Sequence, residues 1–116
     1  MEKIRSVITY KEFFEDFLDT QPSKVREKIL QTLRIIEELT IVPQNYLKHI
    51  EGTDGLYEIR VSFGRLKLRI FCFFDSGKLV VLLGGFQKKT QKTPLVEIER
   101  AIKLKEDYYQ EKMNED

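Results

Sequence analysis

The chain has 116 residues, enough for one domain and too few for two. At 41% hydrophobic and 34% charged it can build a core, which excludes the disordered class; its one cysteine, Cys72, excludes an internal disulfide, and its one histidine, His49, excludes any site that needs two. The net charge of +1 hides an uneven spread: residues 55–94 carry eight Lys/Arg against two Asp/Glu, while the segments on either side are net acidic, so the middle either meets an anionic partner or is a solvated basic face.

Ile4 to Ile8 is β-prone and reads as a first strand. Thr9-Tyr10-Lys11-Glu12 fits a capping box, and Phe13, Phe14, Phe17 and Leu18 follow at helical spacing, so residues 10–18 read as a short helix with an aromatic core face. Pro22 suits a helix start, and Val25, Ile29, Leu33 and Ile36 recur every three or four residues, giving a helix over 22–39 that Pro43 prevents from continuing. Residues 40–55 read as a loop.

The period then changes to two. Tyr57, Ile59, Val61 and Phe63 alternate with polar residues, as do Leu66, Leu68, Ile70, Cys72 and Phe74 with Lys67, Arg69, Phe71 and Phe73, and Leu79–Leu83 is a third strand. A two-residue turn at Gly64-Arg65 pairs Tyr57 with Cys72, Ile59 with Ile70, Val61 with Leu68, Arg60 with Arg69 and Ser62 with Lys67. A two-residue turn at Ser76-Gly77 would pair Ile70 with Leu83 and Cys72 with Val81 on the core face, and Phe71 with Leu82 and Phe73 with Val80 on the other. Thr93 reads as an N-cap and Pro94 as the first residue of a last helix, with Ile98, Ala101, Ile102 and Tyr109 on its apolar face; the acidic end, Glu111 to Asp116, reads as frayed. The expected fold is α+β, a single domain over 1–116: an antiparallel sheet with an N-terminal helical hairpin on one face and a C-terminal helix over part of the other. No apolar run approaches a membrane span and Met1–Ser6 begins no signal peptide, which reads as a small cytoplasmic protein; no cofactor or metal is called for.

One group of residues resists a purely structural reading. Arg60 opposite Arg69 sets like charges across a strand pair, which costs a few tenths to about 1 kcal/mol. If pairing persists past Gly84-Gly85, Phe86 falls opposite Lys67 and Lys88 near Arg65, so Arg60, Lys67, Arg69, Phe86 and Lys88 converge on one face. A phosphate between the arginines would remove the penalty, and Phe86 offers a flat surface for a base. A solvated strand face with a rim aromatic is the plainer alternative. His49, the chain's one imidazole, is a candidate base, against a loop histidine with no role; Glu58 is a second, against an ion-pair partner of Arg60. Cys72 reads as a buried packing residue, and Tyr108-Tyr109 as helix packing.

These residues also carry a resemblance. Leu56-Tyr57-Glu58-Ile59-Arg60 resembles the Leu-Tyr/Trp-Glu-Ile/Leu-Arg strand of the phage-derived HigB-like toxins of the RelE/ParE toxin superfamily, and Arg69-Ile70-Phe71 matches their Arg-Ile/Val-Phe/Tyr. Leu83 to Pro94 matches their L-h-x-F-x-K-K-t-x-k-t-P run, followed by E-I-x-x-A at Glu97 to Ala101, and Lys48 stands where they keep a lysine. The resemblance spans about Ile4 to Tyr109. It implies a RelE-like fold and the toxin of a type II toxin–antitoxin system: a ribosome-dependent, metal-independent mRNA endoribonuclease, neutralised by an antitoxin, often of helix-turn-helix type. Carried onto this chain, it implies Arg60, Arg69 and Lys88 as catalytic residues, and Lys48, Lys67, Phe86 and Lys89 as RNA-binding. Phe71 and Phe86 lack the aromatic hydroxyl some superfamily members bear. A sister toxin that inhibits gyrase, and a non-catalytic RNA-binding module, remain alternatives.

Overall fold

The computed structural model describes residues 2–115. In chain order the elements are β1 (Ser6–Thr9), α1 (Phe13–Asp19), α2 (Ser23–Glu38), β2 (Leu47–His49), β3 (Leu56–Phe63), β4 (Leu66–Asp75), β5 (Leu79–Gln87) and α3 (Leu95–Met113). The strands form one sheet in the order β1-β5-β4-β3-β2. The sheet is mixed rather than wholly antiparallel, because β1 lies parallel to β5. A parallel neighbour requires a crossover, and the intervening helices and strands supply it. On one face α1 and α2 bury Phe14, Val25, Ile29, Leu33 and Ile36 against Ile59, Val61, Ile70 and Cys72. On the other, α3 sets Ala101, Ile98, Ile102, Tyr108 and Tyr109 on Leu56, Phe71, Phe73, Val81 and Leu83. This arrangement is consistent with the RelE-like fold.

The four apolar residues that announce α2 are all buried. Its last turn has no basic residue of its own. Arg5 takes that place, donating to the carbonyls of Ile36 (3.1 Å), Leu39 (2.6 Å) and Thr40 (3.0 Å). The capping box expected at α1 does not form. Lys11 adopts a left-handed φ of 55°, the helix starts only at Phe13, and Thr9 Oγ1 donates to Glu15 (3.1 Å) instead of capping. Phe14 is buried, but Phe13 faces outward at 38% exposure rather than into the core. Cys72 is fully buried, and burial pushes its thiol pKa up, as suits a packing residue. The C-terminal helix continues through Met113 rather than fraying from Glu111, because Glu111 accepts from Tyr10 and Lys112 pairs with Asp75; Asp116 lies outside the described residues.

The first hairpin has the expected register in every pair named. The second does not. Its loop holds three residues, with Ser76 and Gly77 both left-handed (φ 58° and 75°) and the Lys78 N–H donating to Ser76 O at 2.9 Å. Asp75 therefore faces Leu79, and the added residue turns β5 over: Cys72 meets Leu82, Phe73 meets Val81, and Val80 and Leu82 join the α2 face. A bulge between Ile70 and Cys72 then turns the strand back, so Gly85 meets Ile70 and Phe86 meets Arg69. Glycine is required at Gly85, since a Cβ there would sit 2.7 Å from the Phe17 ring and 3.0 Å from the Arg69 carbonyl. The segment read as loop also contains β2, too short to show a period, which pairs Lys48 with Glu58 and His49 with Tyr57.

Candidate functional site

Helix α3 covers only part of its face of the sheet, and the basic cluster lies on the remainder. Two cross-strand rows build it: Lys48, Glu58 and Phe71, then Arg60, Arg69 and Phe86. Beyond them the Lys88 N–H donates to the Lys67 carbonyl (2.8 Å), which extends the ladder past the end of β5. The structure thus brings together Lys48, Glu58, Arg60, Lys67, Arg69, Phe86 and Lys88. Phe86 pairs with Arg69 instead of Lys67, and Lys88 neighbours Lys67 instead of Arg65, because of the longer turn and the bulge. Lys67 is exposed and donates to Ser62 Oγ at 3.3 Å; Lys48 and Lys89 are also exposed.

His49 is not part of this group. It follows Tyr57 to the α2 face, with ring centroids 5.2 Å apart, and its Nε2 lies 3.2 Å from the Thr53 carbonyl. Strand alternation alone separates it from Lys48, its chain neighbour.

Glu58 is the pivot of the cluster. It is 5% exposed, and three groups converge on it. Arg60 Nε donates to Oε1 at 3.3 Å, Arg69 Nε approaches the same oxygen at 3.9 Å, and Thr93 Oγ1 donates to Oε2 at 2.9 Å. An ion-pair role is therefore occupied, and a free base is not what this carboxylate offers. Two residues with no expected part join the site. Thr93, read as a helix cap, makes no cap; its hydroxyl goes to Glu58 instead. Phe71, buried, stacks on Phe86 with centroids 5.6 Å apart and planes 23° apart, which holds the outer ring flat. No local signal in the chain links Thr93 to a residue thirty-five positions away.

The charges do not balance. One buried carboxylate serves two arginines and a nearby lysine. Arg69 is 8% exposed, its NH1 donates to the Leu68 carbonyl (2.9 Å), and its Nε is buried without a hydrogen-bond partner among the described residues. Burial lowers its pKa most, Glu58 opposes this and Arg60 adds to it. Burial likewise lowers the pKa of Lys88, reinforced by Arg69, Arg60 and Lys48 and opposed by Glu58. In both, burial disfavours the charged form by more than Glu58 restores it. Two clefts lie beside it, one between α1 and α3 that Phe71 and Gly85 help to line, the other beneath the C-terminal half of α3; neither arginine nor Lys88 lines either of them. Among the described residues no helix is long and apolar enough to cross a membrane.

Fold and site together define a small α+β protein with a basic sheet face beside a stacked aromatic pair. Residues 16–106, more than three-quarters of the chain, match the family described as phage derived protein Gp49-like (DUF891), and the chain belongs to that family. It is a toxin-like family of toxin–antitoxin systems, and membership implies an antitoxin partner. No curated protein matches the chain.

Proposed function

We propose that this protein is the toxin of a type II toxin–antitoxin pair and acts as a ribosome-dependent mRNA endoribonuclease of the HigB-like kind. The observation that carries the reading is the under-neutralised arginine pair, half-buried Arg60 and buried Arg69, held by a single carboxylate on the sheet face next to Phe86. In strand cleavage the 2′-oxygen loses its proton and bonds to phosphorus, the bond to the 5′-oxygen breaks, and that oxygen takes up a proton. The phosphate gathers negative charge on the way, and preformed donors aimed at it lower the barrier. Arg60 and Arg69 fill that role, with the unpartnered Arg69 Nε gaining its hydrogen bond from the phosphate. Lys88, more acidic than an ordinary lysine, donates to the departing 5′-oxygen. Phe86, backed by Phe71, stacks a base, while Lys48, Lys67 and Lys89 meet flanking phosphates. Glu58 is committed to the arginines, so the acceptor of the 2′-proton comes from the ribosomal complex. That is the reason the reading requires ribosomes.

The test is primer extension on a defined mRNA in a purified translation system, with and without ribosomes, using the native chain, Arg69→Ala and Lys88→Ala. Cuts that need ribosomes and vanish in both variants are expected. Salt-sensitive RNA binding without cuts would make the protein a binding module. Neither binding nor cuts would return the choice to a gyrase inhibitor.

A further inference from the structure

We infer that Thr93 is a positioning residue for the arginine pair, acting through Glu58. The inference rests on the reading of Arg60 and Arg69 as the phosphate-binding groups. Thr93 stands in the connection between β5 and α3, immediately before Pro94, where a threonine would ordinarily cap the helix. It does not cap: α3 has no side-chain cap, and the Thr93 hydroxyl donates to Glu58 Oε2 at 2.9 Å across thirty-five positions of sequence. The bond fixes the carboxylate from the side opposite the guanidinium contacts. With Oε2 held, Oε1 is the oxygen presented to Arg60 Nε at 3.3 Å and to Arg69 Nε at 3.9 Å.

The geometry needs such a tether. A carboxylate on a strand can turn about its last bond, and two cations on adjacent strands compete for it. If Glu58 closed fully on one arginine, the other would swing away from its like-charged neighbour, and the forked donors would no longer point together. The threonine hydroxyl removes that freedom and leaves Oε1 shared. It also couples the arginines to the segment carrying Lys88 and Lys89, since Thr93 lies five residues beyond Lys88 on the same connection, itself braced by Thr90 Oγ1 on the Lys92 carbonyl (2.7 Å). Thr93 touches no phosphate in this scheme. It holds the group that holds the arginines.

Thr93→Val keeps the shape and deletes the hydroxyl, and Thr93→Ser restores the hydroxyl. In the ribosome-dependent cleavage assay, Thr93→Val should lose about tenfold in kcat, with KM for the ribosome–mRNA complex changed less than about twofold, and Thr93→Ser should return to within about twofold of native. The thermal midpoint should fall by about a few degrees in Thr93→Val, the cost of leaving Glu58 Oε2 without its donor, and recover in Thr93→Ser. Thr93→Ala serves if the valine variant melts early, with the same kinetic loss expected. In parallel, the arginine Nε–H signals of 15N-labelled protein report the pair without any reaction: those of Arg60 and Arg69 should move in Thr93→Val and stay in Thr93→Ser. Native cleavage with Thr93→Val unchanged in both rate and arginine signals overturns the inference. Absence of native cleavage with the signals moving as expected overturns the nuclease reading and leaves the positioning role standing.

Discussion

Two buried carboxylates, one at each end of α3, meet different fates. Asp75, 4% exposed on β4, accepts from Tyr108 Oη at 2.7 Å, Lys112 Nζ at 2.6 Å and Ser76 Oγ at 3.3 Å. One negative charge faces one positive charge, and the neutral donors fill the remaining lone pairs. Glu58, 5% exposed on β3, accepts from a threonine that leads into α3, but it faces two arginines and leaves Arg69 Nε without a hydrogen bond among the described residues. The first site is complete within the chain and fastens the end of the helix to the sheet. The second is left with an excess of positive charge, which under the proposed function an RNA phosphate meets. Equal burial thus accompanies closed charges at one end and a positive excess at the other, and it is the excess that the proposed function uses.

The comparison breaks most sharply at Arg69. Arg69→Met should reduce cleavage about a hundredfold, the scale for losing a donor to a developing oxyanion. It should melt no lower than the native chain, because it removes an unsatisfied buried donor and a like-charge pair. A midpoint several degrees lower would make Arg69 a structural residue and erase the contrast. Asp75→Asn should do the reverse. It should cost about 2 kcal/mol in urea unfolding, mostly from the buried hydrogen bonds, since half-exposed Lys112 adds little. Cleavage by the folded variant should change less than about twofold. A larger loss would mean that strain at one end of α3 reaches the other.

The pH dependence sharpens the contrast further. The hydrogen bonds from Lys112 and Tyr108 lower the Asp75 pKa below its ordinary 3.8, so its contribution is present above that value and is lost as pH falls through the lower one. Burial and the Asp75 hydrogen bond raise the Tyr108 pKa from 10.0 to about 12; its contribution is complete below 10.0 and disappears as pH climbs toward 12. The stability difference between native and Asp75→Asn should therefore hold steady near neutrality and shrink at both extremes. Cleavage follows another group. On the proposed function it needs protonated Lys88, so its alkaline limb should begin below the 10.5 of an ordinary lysine. The smallest effect belongs to exposed Lys67: Lys67→Ala should weaken RNA binding slightly and lower its salt slope by about one.

How much of this was legible in the chain depended on how local each signal was. The period of three to four in Val25, Ile29, Leu33 and Ile36, and the strict alternation around Gly64-Arg65, are carried by neighbouring residues, so α2, the first hairpin and the Arg60–Arg69 pair could be read directly. The second hairpin could not. A single additional loop residue reversed β5, and a bulge reversed it again, and neither leaves a mark in hydropathy when both faces of the strand are buried. β2 escaped because three residues show no period, and its absence hid both the Lys48–Glu58 pairing and the turning of His49 to the other face.

The amino-acid sequence by itself determined the layers of the fold, the basic and aromatic residues of the site and the pairing of its two arginines, because periodicity and a tight turn act over a few residues. Only the tertiary structure decided that Glu58 is an occupied pivot, that Phe71 backs Phe86, and that the Thr93 hydroxyl bonds to Glu58 rather than capping the helix. Those outcomes depend on which distant groups are buried together, and a buried polar group takes the partner that burial leaves within reach.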